Sequence, residues 1–190
     1  MRLAPALLLL ASSLAAEGAT RSWNFRVSLD GREIGRHAFT RAEGADGVSV
    51  VSEARFDVRF LFVSAYRYEH RAEERWRDGC LVSLEARTDD NGARKDVRVQ
   101  PEGCTWSFAY WDPGILRARR LLNAQTGEIV PVRWAALGTE SLAVRGNPTA
   151  TSRHRLTSPG LTIDLWYAGS DWVALESVVE GGRRLRYELS

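Results

Sequence analysis

Hydrophobic and polar residues alternate along most of the chain with a period of two, the signature of strands buried on one face. Trp23, Phe25, Val27 and Leu29 alternate with Asn24, Arg26 and Ser28, and Asp30-Gly31 suits a tight hairpin turn. Ile34, Arg36, Ala38 and Thr40 continue on the return strand, and Ala45-Asp46-Gly47 turns again. Val48 to Phe60 is β-rich, with Phe56, Val58 and Phe60 on one face. Tyr66, Tyr68 and His70 alternate with Arg67, Glu69 and Arg71. After Asp78-Gly79, Cys80, Val82, Leu84 and Ala86 share a face, and Asp90-Asn91-Gly92 turns once more. Trp106, Phe108 and Tyr110 form a further alternating face.

The second half repeats this style. Ile129 to Trp134 reads as a strand interrupted at Pro131, which places it at an edge or a bulge. Leu142 to Val144 is short, and Asn147-Pro148-Thr149 reads as a loop. Leu161, Ile163, Leu165 and Tyr167 alternate with Thr162, Asp164 and Trp166; Trp172 to Val179 returns, and Leu185, Tyr187 and Leu189 close the pattern. Short β-rich runs separated by frequent turn signals predict a mainly all-β fold, an antiparallel curved meander or half-barrel. One segment differs. In Trp111 to Leu122, Asp112 is placed as an N-cap and Pro113 as a first helical residue, with Ile115, Ala118 and Leu122 at helical spacing. This predicts one short helix of two or three turns, packed over an opening or face of the sheet.

The N-terminus changes the compartment. Arg2 precedes an apolar run from Leu3 to Ala11, too short to cross a bilayer, followed by Ser13-Leu14-Ala15 with small residues at the cleavage positions. Residues 1–15 read as a secretory signal peptide cleaved after Ala15, with Gly18 as the alternative, and 16–190 as a single β-rich domain. The expected location is the periplasm, with no transmembrane segment. In an oxidising compartment the two cysteines, Cys80 and Cys104, are expected to pair; each follows a turn and begins a candidate strand.

A formal net charge of +2 on 190 residues excludes a strongly basic nucleic-acid binder. Lys95 is the single lysine among 26 basic residues. The arginines are scattered, which favours a compositional bias over a phosphate site. No phosphate-binding glycine loop, serine-hydrolase elbow or zinc-protease motif occurs, so no cofactor is expected. His37, His70 and His154 lie far apart in sequence, and no metal site is expected. The abundant chemistry is aromatic: seven Trp, five Tyr and six Phe. They serve either a filled core or a curved sheet around an apolar cavity. Phe60-Leu61-Phe62-Val63 is apolar on both strand faces, and so is either buried on both sides or an apolar lip.

The stretches Trp23 to Gly35, Phe108-Ala109-Tyr110-Trp111-Asp112-Pro113 and Leu121-Leu122-Asn123-Ala124-Gln125-Thr126-Gly127 resemble a family of uncharacterised exported proteins of Gram-negative bacteria. The terminal part, from Leu161 to Tyr167 and Leu185 to Leu189, resembles exported meander proteins similar in architecture to the lipoprotein carriers LolA and LolB. That likeness implies a LolA/LolB- or lipocalin-like curved sheet with a helical lid over acyl chains. The lipid-anchor cysteine of LolB-type proteins is lacking. No catalytic residue follows from either resemblance.

The leading expectation is a periplasmic binding or carrier protein for a lipid or other apolar or amphipathic small molecule. Its ligand would meet Phe60, Phe62, Tyr66, Tyr68, His70, Tyr110 and Trp111, with Arg117 or Arg120 for an anionic headgroup. The alternatives are a structural cell-envelope protein with a filled interior, and an enzyme using His70 beside a carboxylate.

Overall fold

The computed structural model describes residues 18–60 and 63–190. The candidate signal peptide and its Ala15 cleavage point lie outside the described residues, as do Leu61 and Phe62.

Among the described residues, fourteen strands make up nearly all of the regular structure. The first six are β1 (Thr20–Leu29), β2 (Arg32–Gly44), β3 (Gly47–Phe60), β4 (Val63–Arg77), β5 (Cys80–Asp90) and β6 (Ala93–Val99). Three short strands follow: β7 (Trp106–Ser107), β8 (Arg120–Leu122) and β9 (Ile129–Pro131). The last five are β10 (Arg133–Val144), β11 (Asn147–Ser158), β12 (Leu161–Ala168), β13 (Asp171–Val179) and β14 (Arg183–Leu189). Eleven strands form one antiparallel sheet in the order β10-β11-β12-β13-β14-β1-β2-β3-β4-β5-β6. Two meanders are thus joined where β14 pairs with β1. Among the described residues no ladder joins β6 to β10, so the curved sheet is not closed.

Tight turns set the register. Asp30-Gly31, Asp78-Gly79, Asn91-Gly92 and Arg145-Gly146 each place two successive residues at positive φ, the geometry whose twist matches paired strands. Gly35 has a different role. A Cβ there would lie 1.9 Å from the Arg55 carbonyl oxygen, and a nearby bulge between Val27 and Ser28 shifts the β1–β2 register. Past that point His37 and Phe39, not Arg36, Ala38 and Thr40, turn inward beside Phe25.

The inner face carries the core. Trp23, Phe25, Val27, Leu84, Leu156, Leu165, Tyr167 and Trp172 are all at most 2 % exposed. The outer face is held by charge. Asp164 accepts from Arg155 Nε at 2.6 Å and from Arg153 Nη2 at 2.5 Å. Partial burial raises its pKa, but hydrogen bonds from Arg155 and then Arg153 prevail and hold the carboxyl below its ordinary range. Beside this group Trp166 donates Nε1–H to Glu140, with the Arg153 and Arg186 guanidinium groups 4.8 and 4.9 Å from its ring centre.

Several expectations need correction. The Trp111–Leu122 segment forms a single 3-10 turn over Pro113–Arg117, not a helix of two or three turns. Asp112 caps it as expected, its carboxylate accepting from Gly114 N at 2.7 Å. The chain leaves the turn at Ala118 in extended conformation and enters β8. Asn147-Pro148-Thr149 is strand, not loop; the turn lies just before it, at Arg145-Gly146. Leu142 to Val144 is the end of a twelve-residue strand. Cys104 lies in a bend before β7, not at a strand start.

Candidate functional site

The segment between β6 and β10 bridges the open side of the sheet. Leu81 N on β5 donates to Thr105 O at 3.0 Å, and the Tyr167 hydroxyl on β12 donates to Tyr110 O at 2.9 Å. Gly127, at φ 75°, fits so closely beside β6 that an added Cβ would lie 3.2 Å from a Val97 methyl. Ile115, Leu121 and Leu122 are fully buried. The segment is therefore an inner plug that supplies one wall of the interior, and not an external cover. Cys80 and Cys104 are joined by a disulfide with a Cα–Cα distance of 4.8 Å, which ties the start of this plug to β5.

Behind the plug lies a cavity of about 890 Å³. Its existence follows from side-chain size on β3 and β4. Ser52 pairs with Ala72, and Ala54 sits between His37 on β2 and His70 on β4. These small inward residues leave space that Phe56, Tyr68, Trp172 and Tyr187 surround without filling. Phe108, Tyr110 and Trp111 close it from the plug. Asp90, Gln125, Val179 and Arg183 line it and are also exposed, marking the mouth. Tyr66 lies beside Asp90 there, and Arg183 Nε donates to Asp30 at 2.9 Å.

Five of the residues singled out in the sequence, Tyr66, Tyr68, His70, Tyr110 and Trp111, line this cavity. Arg117 and Arg120 are exposed and are not among its lining residues. The side chain of Phe60 and the whole of Phe62 lie outside the described residues. Val58 and Tyr66, register partners near that hairpin end, line the cavity. His37, Glu74 and the small residues Ser52, Ala54 and Ala72 were not anticipated. A strand-period reading carried through without the bulge opposite Val27 and Ser28 puts His37 on the wrong face. The small residues become informative only when their cross-strand partners are known.

The interior is polar at a few points and nearly uncharged. His70 Nδ1 is 2.9 Å from Thr88 Oγ1, and His37 Nδ1 is 3.4 Å from the Tyr187 hydroxyl. Burial pushes the His37 imidazole down to about 3, with a further contribution from His70, and burial pushes His70 down to about 4. Glu74 accepts from Trp76 Nε1 at 2.9 Å, and burial raises its carboxyl pKa against the opposing pull of Ser107 and Trp76. Among the described residues no three His, Cys, Asp or Glu side chains group as a metal ion would require.

These shifts predict a pH dependence. The unfolded histidines take up protons below about pH 6.5, whereas the folded ones resist until about 4 and 3. The stability that the two histidines contribute is therefore essentially complete above pH 6.5 and falls as the pH drops through this window, by up to about 1.4 kcal/mol per pH unit for each group. Glu74 has the opposite sign: it binds its proton more readily when folded, and so weakens the fold as pH rises past the ordinary carboxyl range. Urea unfolding should show a lower midpoint at pH 5 than at pH 7. His37→Phe should reduce that difference; an unchanged difference would contradict the assignment.

An antiparallel sheet curved around an apolar cavity and left open along one side is a β-barrel-like fold. The chain belongs to DUF6134, a family described as a domain of unknown function, whose profile matches residues 25–190. Its structure is similar to the crystal structure of a β-barrel-like protein of domain of unknown function DUF1849 from Brucella abortus. The TM-score is 0.63 at 10% sequence identity, over 94% of this chain and 98% of that chain. At that identity the likeness concerns the fold alone. No curated protein matches the sequence.

Proposed function

We propose that this protein is a periplasmic binding or carrier protein that holds an apolar or amphipathic, lipid-like molecule inside its open barrel. The observation that carries the reading is the cavity of about 890 Å³, apolar and aromatic within and polar at its mouth. Export fits the leader-like N-terminus and the disulfide between Cys80 and Cys104. No helix among the described residues is long and apolar enough to cross a membrane. A purely structural role calls for a filled interior, which the small residues of β3 and β4 do not provide. An enzyme built on His70 calls for an orienting carboxylate, but the partner of His70 is Thr88.

A binder of the native state alone raises its melting temperature by mass action. Thermal melts of the purified protein with lipid extracted from its own envelope should therefore shift upward with lipid concentration. No shift at saturating lipid would refute the carrier reading.

A further inference from the structure

Two hydroxyls in the cavity lack a protein partner. Tyr68 is 8 % exposed and lines the cavity from β4; Tyr110 lines it from the plug. Neither hydroxyl has a hydrogen-bond partner among the described residues, and neither is sealed away from the cavity. Tyr187, whose hydroxyl meets His37, lies within electrostatic reach of both; Tyr66 and Asp90 lie within reach of Tyr68, and Tyr167 within reach of Tyr110. Phe56 stacks on Tyr68 with ring centres 5.3 Å apart, and Trp172 lies 5.3 Å from Tyr110, so both phenols are held by neighbouring rings. A hydroxyl that faces an apolar cavity and has no protein acceptor leaves its donor free for an acceptor on whatever enters.

Charge narrows the class of that acceptor. Arg183 is the one lysine or arginine among the lining residues; it lies at the mouth and is paired with Asp30. The deep interior instead holds Glu74 and two histidines. A carboxylate placed there would lose its hydration with no cation to offset the loss and with an acid nearby. A carbonyl asks only for donors.

Resting on the carrier reading, we propose that the cavity selects a neutral carbonyl compound, an ester or ketone on an otherwise apolar body, and offers the Tyr68 and Tyr110 hydroxyls as separate donors to its oxygen atoms. The neutrality of His37 and His70 at pH 7 agrees with an uncharged site.

The test uses three probes on the full-length exported protein with its disulfide intact. Diphenylhexatriene is a pure hydrocarbon dye; methyl decanoate and decanoic acid compete against it. At pH 8 the ester should displace the dye at about tenfold or more lower concentration than the acid, and the gap should narrow at pH 5 as the acid becomes neutral. Tyr68→Phe with Tyr110→Phe should weaken the ester about tenfold, the scale of two lost hydrogen bonds, and should weaken the dye, which offers no acceptor, by a clearly smaller factor. Equal or tighter binding of the acid at pH 8, or an ester affinity indifferent to both phenylalanines, overturns the proposal while dye binding still upholds the cavity. Failure of all three probes to bind removes both readings together.

Discussion

Ser52→Phe is expected to abolish binding of hydrocarbon probes while leaving the protein about as stable as the parent. Ser52 faces the interior from β3, between Phe39 and Ala72 in register, and it lines the cavity. A phenyl ring placed there enters an existing void, so it buries apolar area without displacing neighbours. The gain is of order 1.5–3 kcal/mol for a well-buried ring, enough to offset the loss of the small hydroxyl. In a filled interior the same change overpacks the core and costs about 1–3 kcal/mol. Melting temperature and dye titration on one sample separate the two. Retained stability with at least tenfold weaker dye binding supports the cavity account. A sharp loss of stability would mean that β3 packs against a solid core.

The second large effect is at the disulfide. Cys80→Ala with Cys104→Ala removes the tie between β5 and the start of the plug, across a sequence separation of 24. Release of this constraint on the unfolded chain should cost about 3 kcal/mol. The loss should also be local. Thr105 and the strand β7 hold this end of the plug by few hydrogen bonds, one of them from Leu81. Amide exchange should accelerate first through residues 101–122, before the main sheet is affected. Denaturant melts and exchange mass spectrometry check both parts. A variant with unchanged stability and unchanged protection in the plug would contradict the role given to this bond.

The meander was legible because strand period and turn chemistry agree at most hairpins. Asp30-Gly31, Asp78-Gly79 and Asn91-Gly92 combine residue types that tolerate positive φ with flanking alternation. Arg145-Gly146 adopts the same geometry, but arginine is not a turn-forming residue, so Asn147-Pro148 attracted the assignment instead. The aromatic wall was also legible, since Tyr66, Tyr68 and His70 share one strand face whatever the fold. The plug was not. Asp112-Pro113-Gly114 carries local capping information that fits a 3-10 turn as well as an α-helix. Whether such a segment lies over an opening or inside a sheet depends on partners such as Tyr167 and Val97, which are distant in sequence. Trp166 shows the converse limit. It alternates outward as a strand residue should, yet it is 3 % exposed because Glu140, Arg153 and Arg186 gather over it.

Native mass spectrometry of the protein, released gently from cells that make it, tests whether the cavity holds a ligand. The account predicts a bound species of lipid-like mass that departs on denaturation and is missing from Ser52→Phe prepared in parallel. A single mass equal to that of the bare chain, from a preparation that also takes up no hydrocarbon dye, would contradict it.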